Sequence, residues 1–167
     1  MEQLLKKFTV APEKCQSLIL VSTYHFAPLH LGKLLLHFRK VRSLFLNTNQ
    51  EKLMTARTCL YSWKEKNVEE FYNNYKPNNI GYKKALRACF DVDNRRLLPK
   101  TKVPTLIIGG QYDSILPIWI QIHMNKQIPN SELVIFKNCG HIAKYEVSNE
   151  FNETLSLFLN IHRLVTN

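Results

Sequence analysis

The chain has 167 residues, the length of one domain, and 45% of them are hydrophobic, enough to form a core and too many for a disordered composition. Its net charge of +10, from 23 Lys plus Arg against 13 Asp plus Glu, is spread along the whole sequence instead of gathering in a block. That distribution reads as an ordinary solvated surface, and no nucleic-acid partner is expected.

In chain order, Met1 to Phe8 is mixed and charged, which does not suit a signal peptide. No uninterrupted apolar run approaches the roughly 20 residues of a membrane span, and a cytoplasmic chain is the expectation. Glu2 to Val10, with Leu4, Leu5 and Phe8 on one side, predicts the tail of a helix that Pro12 stops. Ser17 to Ser22, S-L-I-L-V-S, is a continuous apolar run of the buried-strand type. From Thr23 to about Leu98 the strand pattern is absent. Leu29 to Leu46 carries Leu31, Leu34, Leu35, Phe38, Val41 and Phe45 with Lys33, His37, Arg39, Lys40 and Arg42 between them, which predicts a basic amphipathic helix or a pair of short ones. Contact with an anionic lipid surface would give the same pattern, and a face covering a core is preferred over it. Gln50–Trp63, Asn67–Tyr75 and Tyr82–Phe90 follow as helices, with breaks at Lys66-Asn67 and Pro77-Asn78-Asn79. Tyr61, Trp63, Phe71, Tyr72 and Tyr75 are expected to pack within this helical region. His25, His30, His37 and His123 have no carboxylate at a readable spacing and are taken as structural or surface residues.

Val103 to His141 carries the chemistry. Thr105 to Ile108 is a short apolar run opened by Pro104 and closed by Gly109-Gly110, and Leu133 to Phe136 is a second, closed by Asn138 and Gly140. Each predicted strand delivers a titratable group just past its C-terminal end, Asp113 and His141, where an open α/β sheet binds its ligands. A carboxylate that accepts a hydrogen bond from one imidazole nitrogen fixes the tautomer and leaves the other nitrogen free to take a proton from a nucleophile. Taken singly, each residue also fits a plain structural role, an Asp in a turn and a satisfied His beside a core. Cys15, Cys59, Cys89 and Cys139 are scattered, with no C-x-x-C pair and no His cluster at metal spacing, so reduced thiols and no metal site are expected. Cys139 lies two residues before His141, a spacing that points the side chains differently and does not favour it as a nucleophile. Glu146 to Leu159 predicts a closing helix capped by Ser148 or Asn149, with Glu150 in its first turn and Phe151, Leu155, Phe158 and Leu159 as its apolar stripe.

The segments P-T-L-I-I-G-G-Q-Y-D, I-P-N-S-E-L and N-C-G-H together resemble the acid-bearing strand, the link to the last strand and the histidine loop of the α/β-hydrolase superfamily, and Asp before His is that superfamily's order. A-P-E-K-C-Q-S-L-I-L-V-S-T resembles the passage from the helix behind the nucleophile into the sixth strand. The resemblance implies an α/β fold, the C-terminal portion of a hydrolase sheet with three mostly parallel strands, flanking helices and a helical cap. It divides the chain into 1–23 (end of the nucleophile helix and sixth strand), 24–98 (cap) and 99–167 (last two strands, acid and histidine loops, C-terminal helix). It also implies hydrolysis of a small-molecule acyl ester through an acyl-enzyme, in the manner of a carboxylesterase or lipase. In that scheme His141 is general base and then acid, Asp113 orients it, and no cofactor or metal takes part.

The family's nucleophile elbow, G-x-S-x-G, would fall about a dozen residues before Pro12, upstream of Met1. Ser17, Ser22, Ser43, Ser62, Ser114, Ser131, Ser148 and Ser156 all lack the flanking glycines, so no nucleophile of this pattern is expected in the chain. The chain is therefore expected to be inactive by itself. Three readings stay open: the C-terminal part of a serine ester hydrolase, a non-catalytic binding or interaction protein, and one half of a split hydrolase. With its sixth strand unpaired on one edge, the chain is expected to be marginal, aggregation-prone or dimeric unless another chain covers that edge.

Overall fold

The computed structural model describes residues 15–27, 45–75 and 92–163, with positions 30, 33, 34, 37, 38, 41 and 90 between them. The helices expected at Glu2–Val10 and, but for Phe90, at Tyr82–Phe90 lie outside the described residues, as does most of Leu29–Leu46.

Three strands form the central sheet: β1 (Leu18–Val21), β4 (Thr105–Gly110) and β5 (Ser131–Phe136), in the order β1-β4-β5 and all parallel. The register sets Leu18 against Thr105 and Val21 against Ile108 on one side, and Thr105 against Ser131 and Gly110 against Phe136 on the other. Every residue of β4 is buried, which is why its sequence reads as one apolar run without alternation. Ile107 faces a core made with Leu18, Leu20, Ile120, Met124 and Ile128, while Leu106 and Ile108 face another made with Phe136, Cys139, Ala143 and Phe158. The sheet is thus the middle layer between α3 (Ile118–Gln127) and α5 (Ser148–Arg163).

Helix α3 occupies a stretch for which the sequence suggested no element, and it supplies the crossover that two parallel strands require. Its apolar residues Ile118, Ile120, Ile122 and Met124 alternate with polar ones over most of its length, a period of two that hides a helix; packing decides its form. The closing helix also begins differently from expectation. A short helix α4 (Ala143–Glu146) comes first, and the Val147 carbonyl accepts the Phe151 N–H at 2.8 Å, so the helical bonding of α5 starts before Ser148 and Asn149. Phe158 is buried, and Phe151 and Leu155 pack beside it, but Leu159 is 45% exposed and drops out of the stripe.

Among the described residues between β1 and β4, two helices stand out. Helix α1 (Thr48–Cys59) opens on a capping box: Asn47 Oδ1 accepts the Gln50 N–H and Gln50 Oε1 accepts the Asn47 N–H, each at 3.0 Å. The helix therefore starts before Gln50, and it ends at Cys59, not Trp63, because Leu60 turns extended. Helix α2 (Glu65–Asn74) packs on α1 through Ala56, Cys59, Leu60 and Phe71, and the same cluster takes in Ile142 and Tyr145. Leu34, Phe38, Val41 and Phe45, expected to face a core, are exposed. The expected absence of strands in this region is also corrected. Residues β2 (Phe26–Ala27) and β3 (Val92–Asp93) pair antiparallel, and the Asn94 N–H donates to the His25 carbonyl at 2.8 Å, so entry and exit of the region run side by side. His25, taken as structural or surface, is buried here and stacks on His123 with ring centres 4.8 Å apart.

Candidate active site

Both residues singled out in the sequence lie beyond the C-terminal ends of neighbouring strands, Asp113 after β4 and His141 after β5. Two backbone bonds lace the loops together: Gln111 N–H to the Phe136 carbonyl and Tyr112 N–H to the Cys139 carbonyl, both 2.9 Å. Asn138 takes a left-handed φ of 52°, which Asn tolerates better than most residues, and this turns the chain out of β5 toward His141. The approach of the two loops is very close. A Cβ on Gly110 would stand 2.0 Å from the Gly140 carbonyl oxygen and 2.6 Å from that of Cys139. Gly110 is required here for contact, since its φ is not positive.

The result is one short bond. His141 Nδ1 lies 2.8 Å from Asp113 Oδ2, and the other carboxylate oxygen, Oδ1, accepts the N–H groups of Ile115 at 2.9 Å and Leu116 at 2.8 Å. An ionised carboxylate only accepts, so Nδ1 carries the hydrogen and a neutral ring leaves Nε2 with a free lone pair. The Asp113 side chain is 1% exposed and that of His141 25%, so the acid is sheltered and the ring stays partly open.

Burial works against the charged form of Asp113, but the hydrogen bond from His141 and the N–H groups of Leu116 and Ile115 outweigh it and hold the carboxyl below its usual range. With the folded value depressed, the stability that the ionised group contributes is complete above the unfolded value and is lost as pH falls through the folded one. The difference in urea-unfolding stability between wild type and Asp113→Asn should therefore stay level from pH 7 to about 5 and shrink below about 4, near the unfolded aspartate value. A difference that ignores pH would contradict this account of the site.

Cys139 is fully buried, and burial, with Glu146 and Asp113 nearby, pushes its thiol up to about 12, which leaves it without thiolate character at neutral pH. Among the described residues no three His, Cys, Asp or Glu side chains gather as metal ligands, and no helix is long and apolar enough to cross a membrane.

The sequence did not mark the residues that hold these loops from the other side. The last carbonyls of α1, which have no partner within the helix, accept from the site: Thr58 from Ser114 Oγ at 2.7 Å and Cys59 from the His141 N–H at 2.8 Å. Tyr61, expected to pack among the helices, instead stacks on Tyr112 of the acid loop with ring centres 4.2 Å apart. Glu146, expected to open the last helix, accepts the N–H of Gly140 and that of Ser62. Only the Gly110 and Gly140 positions carried a sequence signal for such contacts.

The family model for the alpha/beta hydrolase fold matches residues 3–146, and the chain belongs to that family. It is 38% identical over 63 residues to a 2-hydroxy-6-oxononadienedioate/2-hydroxy-6-oxononatrienedioate hydrolase of Pseudomonas sp, a match covering 38% of this chain and 22% of the relative. An esterase from Exiguobacterium antarcticum superposes with a TM-score of 0.77 at 22% identity, over 94% of this chain and 62% of the esterase. The enol-lactonase of Burkholderia xenovorans LB400 does so with a TM-score of 0.78 at 17% identity, over 93% of this chain and 59% of the lactonase. These two structures share the fold, and the chain spans about three fifths of their length.

Proposed function

We propose that this chain supplies the acid–histidine half of a serine ester hydrolase's catalytic triad, with the nucleophile provided by polypeptide outside these 167 residues. The 2.8 Å contact between His141 Nδ1 and Asp113 Oδ2 carries the proposal, because it fixes the tautomer in which Nε2 accepts a proton. His141 then takes the nucleophile's proton during attack on an acyl ester and returns it to the leaving alcohol, and Asp113 stabilises the imidazolium formed in between. Residues 24–98 act as a cap over the small-molecule substrate, in keeping with the seating of α1 on both catalytic loops. No G-x-S-x-G occurs in the sequence, so the 167-residue chain turns over no p-nitrophenyl ester by itself.

A chimera tests this, with the upstream part of the Exiguobacterium antarcticum esterase placed before this chain. Turnover of p-nitrophenyl acetate by the chimera and its loss in His141→Ala is the expected result. A folded chimera without turnover, or a pure chain whose brisk turnover vanishes in Asp113→Ala or His141→Ala, would overturn it.

A second reading is favoured by the edge of β1, which ends the sheet among the described residues and leaves Val21 36% exposed. A partner chain or a second copy that pairs along Leu18–Val21 would complete the sheet, as in a split hydrolase or a non-catalytic complex. Co-purification of a strand-bearing partner, or a dimer in light scattering, would support it.

A further inference from the structure

The peptide groups on either side of Gly140 are both pinned. The His141 N–H donates to the Cys59 carbonyl at 2.8 Å, and the Gly140 N–H donates to Glu146 Oε2 at 2.7 Å. The other Glu146 oxygen, Oε1, accepts the N–H of Ser62, 84 residues before it, at 2.6 Å, so one carboxylate ties the histidine loop to that distant segment. The fit is tight: a Cβ on Gly140 would lie 2.8 Å from the Cys59 carbonyl oxygen and the Tyr61 nitrogen, and 3.1 Å from Glu146 Oε2. Both partners of Glu146 are donors, so both of its oxygens must accept. A carboxylate does this, whereas a carboxamide turns an NH2 group toward one of the two N–H groups.

We infer that Glu146 is a positioning residue that holds His141 in reach of Asp113 only while the end of α1 is seated on the histidine loop. The inference rests on the reading of Asp113 and His141 as the catalytic pair. Lifting α1 would withdraw the Cys59 carbonyl and the Ser62 N–H together. Glu146 would then hold Gly140 to nothing but its own helix, and the ring would lose the placement that makes the 2.8 Å bond. Conversely, a substrate that presses α1 down aligns the base as it binds, which couples occupancy of the helical region to readiness of the imidazole.

The test is the imidazole spectrum of the full chain, 15N-labelled at histidine. In wild type the Nδ1 proton shared with Asp113 gives a resonance protected from exchange, and Asp113→Asn abolishes it. Glu146→Gln is expected to abolish it too, with the far-UV circular dichroism and the cooperative thermal transition retained, and Glu146→Asp, with its two acceptors, to restore it in part. A resonance unchanged by Glu146→Gln but lost in Asp113→Asn would overturn the role of Glu146 and leave the pair intact. A wild-type resonance that is absent, or indifferent to Asp113→Asn, would overturn the pair itself and this inference with it. Native-state hydrogen exchange of the unaltered chain needs no variant: the amides of Ser62, Gly140 and His141 should open with a single common protection factor, and protection differing more than tenfold among them would contradict the inference.

Discussion

Gly110→Ala should cost more than about 4 kcal/mol of stability, enough to remove a cooperative unfolding transition from a domain of this size. The new Cβ would stand 2.0 Å from the Gly140 carbonyl oxygen, 2.6 Å from the Cys139 oxygen and 2.9 Å from the Cys139 carbonyl carbon, all backbone atoms with no rotamer to turn away. Relief would require the acid and histidine loops to part, which also breaks the bond from Tyr112 N–H to Cys139. Its neighbour is the control. A Cβ on Gly109 meets the Gln121 Cγ at 3.1 Å and the Ile135 Cδ1 at 3.3 Å, side-chain atoms that need give by only a few tenths of an ångström, so Gly109→Ala should cost about 1–3 kcal/mol, the ordinary penalty of overpacking. Urea unfolding of the two variants measures the contrast, and equal costs would mean that the loops do not meet as described.

The largest kinetic effect should come from Asp113→Asn in the hydrolase chimera: about a 10⁴-fold lower kcat with KM nearly unchanged. The carboxamide can keep its oxygen on the Ile115 and Leu116 N–H groups, where Oδ1 now accepts both. Its NH2 group then faces Nδ1, which must accept, and the ring hydrogen moves to Nε2. On the proposed mechanism the nitrogen that serves as base is thereby blocked, although the geometry is retained. Raising the pH does not restore it. Steady-state kinetics with p-nitrophenyl acetate provides the check, and a loss below about tenfold would take Asp113 out of the chemistry.

The centre of this fold was legible because β4 and β5 are short apolar runs with clear punctuation, and the loops after them end in the residues that the resemblance singles out. The pairing of Asp113 with His141 followed from strand ends and residue order. Helix α3 was hidden by its own alternation, and β2 and β3 were too short to give a period. The seating of α1 was illegible for a different reason. Its contacts run through backbone carbonyls, Thr58 and Cys59, whose side chains say nothing about them, and through Glu146, a carboxylate whose two partners are backbone N–H groups. Such bonds follow from three-dimensional placement and leave no spacing rule in the sequence.

The parallel arrangement of β1 and β4 has a kinetic consequence. Leu18 finds Thr105 only after all of the chain between them has been looped out, and Ser62 meets Glu146 across 84 residues. Closing such loops takes entropy before any contact compensates, so the sheet forms slowly and the histidine loop, fastened to the chain's middle, is completed after it. β4 and β5, joined through α3 alone, make the natural early nucleus. In refolding experiments the β4–α3–β5 unit should acquire exchange protection first, with Gly140 and His141 trailing.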